Sequence, residues 1–383
     1  GLSDGKSSLN FNYMYDVAIL GGGLAGLTNA YLLAKAGYKV ILFEKGSYPQ
    51  HKVCGEYISN EVLPFLKKHD LYPKNFRPSQ INKFQLTTEV GKSLDLALDT
   101  GAFGISRFAF DDYLYQKCKA LGVECLTQTK IHDCVFENPH FNISSSKGRY
   151  QAHYAVGAFG KKSNLDRVLN RSIKPEKSSY LGVKYHVRTD FAIDTVALHN
   201  FRGGYCGVNK IEDDVYNICY LTKGNNFKQS GSIESMETDI LFKNPYIREL
   251  FKSSDFIFDK PLIINQINFN KKQLIEDYVI MCGDTAGLIT PLCGNGMAMA
   301  IHSGKLLAEI IIQKKARPDL RREVQDLYKF QWNRWFSNRL MWGRNLQLLF
   351  GNHSLSNATL ALAKSVPMLA QKLISKTHGK SFS

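Results

Sequence analysis

Between Met14 and Phe43 the apolar pattern changes period twice. Val17 to Leu20 is a continuous apolar run of strand length, Leu27 to Ala36 places apolar residues at helical spacing, and Val40 to Phe43 is a second short run. Gly37 suits the C-cap of the intervening helix, so the stretch predicts a strand, turn, helix, strand unit. Further along, Ile81 to Leu98 alternates as paired strands with a turn near Gly91, and a helix runs to Ala120 before stopping at Gly122. Gly122 to Ile131 reads as a strand, and Phe141 to Gly157 as a hairpin with a further strand. From Tyr180 to Asp277 the chain is mostly short alternating segments, with one helix expected around Ile233 to Phe251. A strand from Asp277 to Cys282 precedes a long helix from about Gly296 to Gln313. The tail is helical over Glu323 to Arg344, and the stretch from Val366 to Ile374 reads as an amphipathic helix with Lys372 and Lys376 on its polar side.

This succession predicts an α/β protein: a Rossmann-like cofactor domain, a β-rich substrate domain inserted into it, and a helical C-terminal tail. The expected division is 14–80, 99–165 and 272–315 for the cofactor domain, 81–98 and 166–271 for the insert, and 316–383 for the tail. Residues 1–13 are polar and patternless and read as a leader or disordered segment.

Composition adds exclusions. A chain of 383 residues that is 44% hydrophobic and 22% charged is ordinary for a globular enzyme. No apolar run reaches membrane-spanning length. The eight cysteines form no CxxC pair, which argues against a zinc site and for a reduced, cytoplasmic setting. Of the net charge of +15, ten charges fall from Lys314 onward, where thirteen basic residues face three acidic ones. That asymmetry suits an anionic membrane surface or an acidic partner, with a solvated helical face as the plain alternative. No nucleic-acid-binding pattern accompanies it.

Two stretches carry chemistry. In the first, Gly21 permits the tight turn out of the strand, Gly23 lets backbone approach a pyrophosphate, and Gly26 lets helix and strand pack closely. Leu24 and Ala25 open the helix, whose N-terminal N–H groups suit phosphate. Glu44 ends the second strand at the spacing of a carboxylate that takes ribose hydroxyls. In the second, the strand ends in Gly283-Asp284, and a loop through Pro291 and Gly294 leads by Asn295, Gly296 and Met297 into the long helix. Asp284 suits a ribityl hydroxyl, and the helix N-terminus suits partial negative charge on a flavin. A cofactor site split this way marks FAD rather than NAD. Arg107 stands at the mouth of a helix, where a guanidinium pairs well with phosphate or ribose. Cys54 lies in a loop that should run along the cofactor; it is either a redox or substrate-facing residue or a small buried side chain.

With these motifs the chain resembles the flavoprotein hydroxylase superfamily and, through Lys52-Val53-Cys54-Gly55-Glu56, its geranylgeranyl-reductase-like members. The resemblance spans roughly Tyr15 to Gln313. It implies FAD contacts from Ala25, Glu44, Lys45, Cys54, Arg107, Asp284 and the loop from Gly294 to Met297, with Ile131 beside the adenine. Ala158-Phe159-Gly160 stands where hydroxylases carry Ala-Asp-Gly, and all three tryptophans lie outside the insert, unlike the paired tryptophans of flavin halogenases. The expected function is FAD-dependent reduction of a C=C bond or similar acceptor in an apolar, isoprenoid, lipid or carrier-bound substrate by hydride transfer from flavin N5. A monooxygenase acting on an aromatic or carrier-bound substrate and a flavin-containing electron carrier remain as alternatives. NADH or NADPH stays open as electron donor, and Cys54, Glu56 and Tyr205 are the candidate proton sources.

Overall fold

The computed structural model describes residues 14–161, 163–171, 180–267, 269, 272–288, 295–349 and 379–383. β1 (Met14–Leu20), α1 (Leu24–Lys35) and β2 (Val40–Phe43) form the opening unit, followed by β3 (Tyr57–Ser59), α2 (Leu63–Lys68), β4 (Ser79–Thr87), β5 (Ser93–Gly104) and α3 (Arg107–Ala120). Then come β6 (Glu124–Leu126), β7 (Ile131–Glu137), β8 (His140–Ser145), β9 (Gly148–Gly157) and α4 (Asn164–Val168). The middle of the chain holds β10 (Tyr180–Arg188), β11 (Thr195–Phe201), β12 (Gly204–Lys210), β13 (Tyr216–Lys223), α5 (Gly224–Ser230), α6 (Ile233–Asp239), α7 (Pro245–Lys252), β14 (Asp255–Phe256) and β15 (Leu262–Ile267). β16 (Ile275–Glu276), β17 (Val279–Met281), α8 (Gly296–Gln313), α9 (Arg321–Trp332) and α10 (Asn338–Leu349) complete it.

Two sheets result. In the first, the order β17, β9, β1, β2, β6 is parallel throughout. β1 and β2 are almost wholly apolar because helices cover both faces of such a sheet. α1 packs so tightly on α8 that the Asn29 amide donates to the Gly304 carbonyl at 2.9 Å. Ile19, Leu27, Ile41, Ile301 and Leu307 are fully buried here, each contributing roughly 1.5–3 kcal/mol of transfer free energy.

The second sheet runs β14, β10, β13, β12, β11, β4, β5, β3, with β15 following β14 along the same edge of β10. It is antiparallel apart from the parallel pair β4 and β11. Its outer face is closed by α6 and α7: Val183, Tyr185, Ile218 and Tyr220 pack on Met236, Leu241 and Ile247.

The boundaries differ from the expected ones. The second sheet takes the whole of 79–104 and also β3, because long continuous pairing of β4 with β5 outweighs a break at residue 98. α4 belongs with the first sheet, since Leu165 and Leu169 join that core. The single helix expected over Ile233 to Phe251 is two, because Asn244 caps α7 at the Tyr246 N–H and Pro245 starts it afresh. The tail from Arg321 is helical to Leu349 with one π turn over Asn333–Ser337, while Val366 to Ile374 lies outside the described residues. Among the described residues no helix is long and apolar enough to cross a membrane.

Candidate functional site

Three neighbouring parallel strands, β17, β9 and β1, end side by side, which is where open α/β sheets hold ligands. Gly21 leaves β1 at φ +115°, and a Cβ there would meet the Ala158 carbonyl oxygen at 2.3 Å. A Cβ on Gly26 would come within 2.1 Å of the Gly21 carbonyl oxygen. Both positions therefore require glycine. Gly23 is the N-cap of α1; it supplies no side-chain cap, and the first turn carries no acidic residue. The helix N-terminus, with Leu24 and Ala25, is left to an external anion.

Glu44 ends β2. Its carboxylate accepts from the Gly22 N–H at 2.9 Å and the Gly46 N–H at 2.8 Å, which fixes it beside the glycine turn with lone pairs to spare for hydroxyl donors. The segment leading to Ile131 runs alongside, for the Thr129 N–H donates to the Glu44 carbonyl at 2.9 Å. Lys45 is exposed next to it. On the far side Gly283 and Asp284 follow β17, Asp284 stays partly accessible, and the Gly283 N–H is held by the Ser303 hydroxyl of α8 at 2.9 Å. Asn295, Gly296 and Met297 form the start of α8; Pro291 and Gly294 lie outside the described residues. A glycine turn, an uncapped helix end, a ribose-height carboxylate and a returning Gly-Asp segment fit a flavin dinucleotide.

Arg107 opens α3 and joins this cradle to a second group of residues. Its guanidinium grips Asp111 in a fork, Nε–Oδ1 2.6 Å and Nη2–Oδ2 2.8 Å, and Nη2 lies 3.6 Å from where a Gly23 Cβ would stand. Lys52 also pairs with Asp111 at 2.9 Å. Burial opposes the Arg107 charge, but Asp111 and a hydrogen bond that Arg107 donates to Cys54 overcome it and hold its pKa above the usual value. Asp111 itself is disfavoured as an anion by burial, yet Arg107 and Lys52 pull it below the ordinary carboxylate range.

Glu56 sits fully buried with φ +53°, a backbone region that costs a non-glycine residue about 1 kcal/mol or more. It is held there by three donors. Oε1 accepts from the Arg107 N–H at 2.7 Å and the Lys184 ammonium at 2.5 Å, and Oε2 pairs with His186 Nε2 at 2.7 Å. Burial pushes its pKa up, but Lys184 and His186 outweigh that and leave it lowered. This corrects the expectation that Glu56 is a proton source: an ionised carboxylate with three donors accepts and does not give.

Lys184 and His186 come from β10, and the strand register shows what surrounds them. Residues facing one another across antiparallel strands share a face. The first row on this inner face is Asn209, Asn217 and His186; the second is Gly207, Cys219 and Lys184; the third is Tyr205, Leu221 and Gly182. The first row clasps the cofactor-side loop: Asn217 Nδ2 donates to the Cys54 carbonyl at 3.1 Å and Asn209 Nδ2 to that of Glu56 at 3.4 Å. The third row joins an apolar cluster with Leu86, Leu198, Ile267 and Leu288. Between them Gly207 and Cys219 keep some accessible surface, as does Cys54 opposite. Burial raises the Cys219 thiol to about 12. The result is a crevice between this sheet face and the Cys54 loop, charged at one end and greasy at the other. Tyr205 lies in the greasy end, four residues along β12 from Asn209, or about 13 Å, so it is not brought together with Cys54 and Glu56.

Sequence reasoning named Cys54, Glu56 and Arg107 but missed Lys184 and His186. The one available signal was a lysine and a histidine two apart on a strand otherwise reading as core.

Comparison with known proteins agrees with the cradle. Residues 16–53 match the family described as FAD dependent oxidoreductase. The chain is an FAD-dependent oxidoreductase. The flavoprotein is 24% identical over 365 residues to conditioned medium factor receptor 1 of Dictyostelium discoideum, covering 88% of this chain and 70% of that one. It is 23% identical over 342 residues to a digeranylgeranylglycerophospholipid reductase of Methanoculleus marisnigri, covering 83% and 81%. Among solved structures, the flavin-dependent brominase Bmp2 shares its fold with a TM-score of 0.77 at 16% identity, over 97% of this chain and 95% of the brominase.

Proposed function

We propose that this flavoprotein reduces a carbon–carbon double bond, or a similar acceptor, in a largely apolar substrate. The observation that carries the reading is the gradient along the crevice. Leu198, Tyr205, Leu221 and Leu288 offer an apolar chain a dry bed, while Lys184, His186 and Arg107 gather charge and protons at the other end. An apolar substrate bound this way would hold its reacting group near the charged end and its tail in the greasy one. The likeness to a phospholipid reductase supports the same substrate class.

Bound FAD would supply the two-electron chemistry. Gly21, Gly23, Leu24, Ala25 and Gly26 would take its pyrophosphate with Arg107 alongside; Glu44, with Lys45 and Ile131 near, its adenosine half; and Gly283, Asp284, Asn295, Gly296 and Met297 its flavin half. The chain's own residues then orient substrate on β12 and β13 and exclude water from the crevice.

The test is anaerobic incubation of photoreduced holoprotein with polyprenyl alcohols, followed by mass spectrometry. A product heavier by two hydrogens supports the reading. Product that forms only with oxygen, carrying a new oxygen or halogen, overturns it in favour of a monooxygenase or halogenase, which the fold shared with a brominase makes the second reading. An acidic or membrane partner for the basic tail is a separate proposal, tested by sedimentation with anionic vesicles.

A further inference from the structure

A flavin that takes up electrons without hydrogen also takes up protons, and one held by this cradle would need a path for them through the protein. Four side chains mark one. His51 is exposed on the loop after β2, His186 is buried beneath it, and their rings meet edge to face at 5.1 Å between centroids. Phe258 stacks on His186 at 4.8 Å and Phe108 on His51 at 4.5 Å, so aromatic walls flank both imidazoles. Beyond His186 lies Glu56, whose other oxygen reaches the α3 N-terminus beside Arg107.

We infer that His51 and His186 form the proton route between solvent and the flavin crevice, with Glu56 as the fixed counter-charge that orients the inner imidazole. His51 takes a proton from water and passes it to His186, directly or through one bridging water. The Nε2–H of His186 stays on Glu56, so Nδ1 takes the proton from His51 and releases it on the crevice side, and an electron pair that reaches the flavin without hydrogen is matched by at least one proton from solvent. The reverse sequence serves oxidation. The charges facing His186 are Glu56, His51 and Lys52 on the loop, Lys184 on its own strand, Arg188 and Asp255 at the next register position, and Arg107 with Asp111 from α3. Burial, then His186 and Lys184, lower His51 to about 4, which keeps it neutral at pH 7 and able to accept on one nitrogen while donating from the other.

The experiment uses full-length holoprotein. Laser-flash reduction with deazariboflavin as electron donor delivers electrons to bound FAD, and a pH-indicator dye follows proton uptake. In His186→Gln uptake slows at least tenfold while electron arrival is unchanged; in His51→Gln it slows several-fold and added imidazole restores it. Uptake at wild-type rates in both variants, across pH 5.5 to 8.5, overturns the inference. Where His186→Gln fails to bind FAD, His51→Gln decides alone, supported by ring resonances of carbon-13 histidine. The His186 ring resonance moves on loss of His51 if the rings are in contact, and an unmoved resonance overturns the coupling.

Discussion

Glu56 and Glu61 stand five positions apart, both fully buried and both ion-paired, yet they do different work. Glu61 holds Arg339 at 3.0 Å and the backbone N–H of Gly379 at 2.6 Å, tying the described C-terminal residues back to the start of α2. Phe382 then stacks on His302 at 3.9 Å. Those donors are a guanidinium and an amide, neither of which changes protonation near neutrality. Glu56 instead pairs, from the loop before β3, with a histidine of β10 that a second, exposed histidine touches. Burial of a charge is therefore a poor signal of function by itself. What separates staple from site is a titratable partner with a path to water.

The largest effect expected from this contrast is on stability. Arg339→Met leaves Glu61 buried without its counter-charge and should cost about 3–5 kcal/mol in chemical denaturation, with the flavin spectrum of the folded protein unchanged. A smaller loss would mean that Glu61 reaches solvent. His199 sharpens the comparison from another side. It is buried like His186, but its described partners are the Thr87 hydroxyl at 2.9 Å and a stacked Tyr246. Burial lowers it to about 3. Below pH ~6.5 the unfolded chain then binds a proton that the folded chain refuses, and stability falls as pH drops toward 3. By pH 5 the loss is about 2 kcal/mol, and His199→Gln should remove that part of the pH dependence as read from urea melts at pH 7 and 5. Arg107→Lys keeps a charge for Asp111 but loses the fork, and FAD should bind about tenfold more weakly by fluorescence titration. At the bottom of the scale, Arg77→Gln breaks a surface pair with Asp213 and should leave melting temperature and flavin binding where they were.

Local chemistry was legible in the sequence. The unit from β1 to β2, the start of α8 at Gly296 and the helix mouth at Arg107 all follow from periodicity, glycine placement and caps within a few residues. The polar end of the crevice was not legible, because Lys184 and His186 meet Glu56 across 128 and 130 positions and only the register of β10 with β13 turns them inward. The character of Glu56 was misread for the same reason: alone it is a candidate acid, and its distant donors make it a fixed anion. Helix boundaries near Asn244 went astray because a cap inside an apolar pattern restarts the helix without breaking its period.

The way the two sheets alternate along the chain bears on biosynthesis. β1 and β2 emerge first, but their sheet awaits β17 at Val279–Met281, and the other sheet opens with β3 and closes only with β15 at Leu262–Ile267. Synthesis must therefore pass Ile267 before the second layer is complete and Met281 before the first, and until then several apolar strand edges stand open. Nascent chains stalled short of that length should stay protease-sensitive and bound to chaperones, and become resistant together once β17 has cleared the exit tunnel.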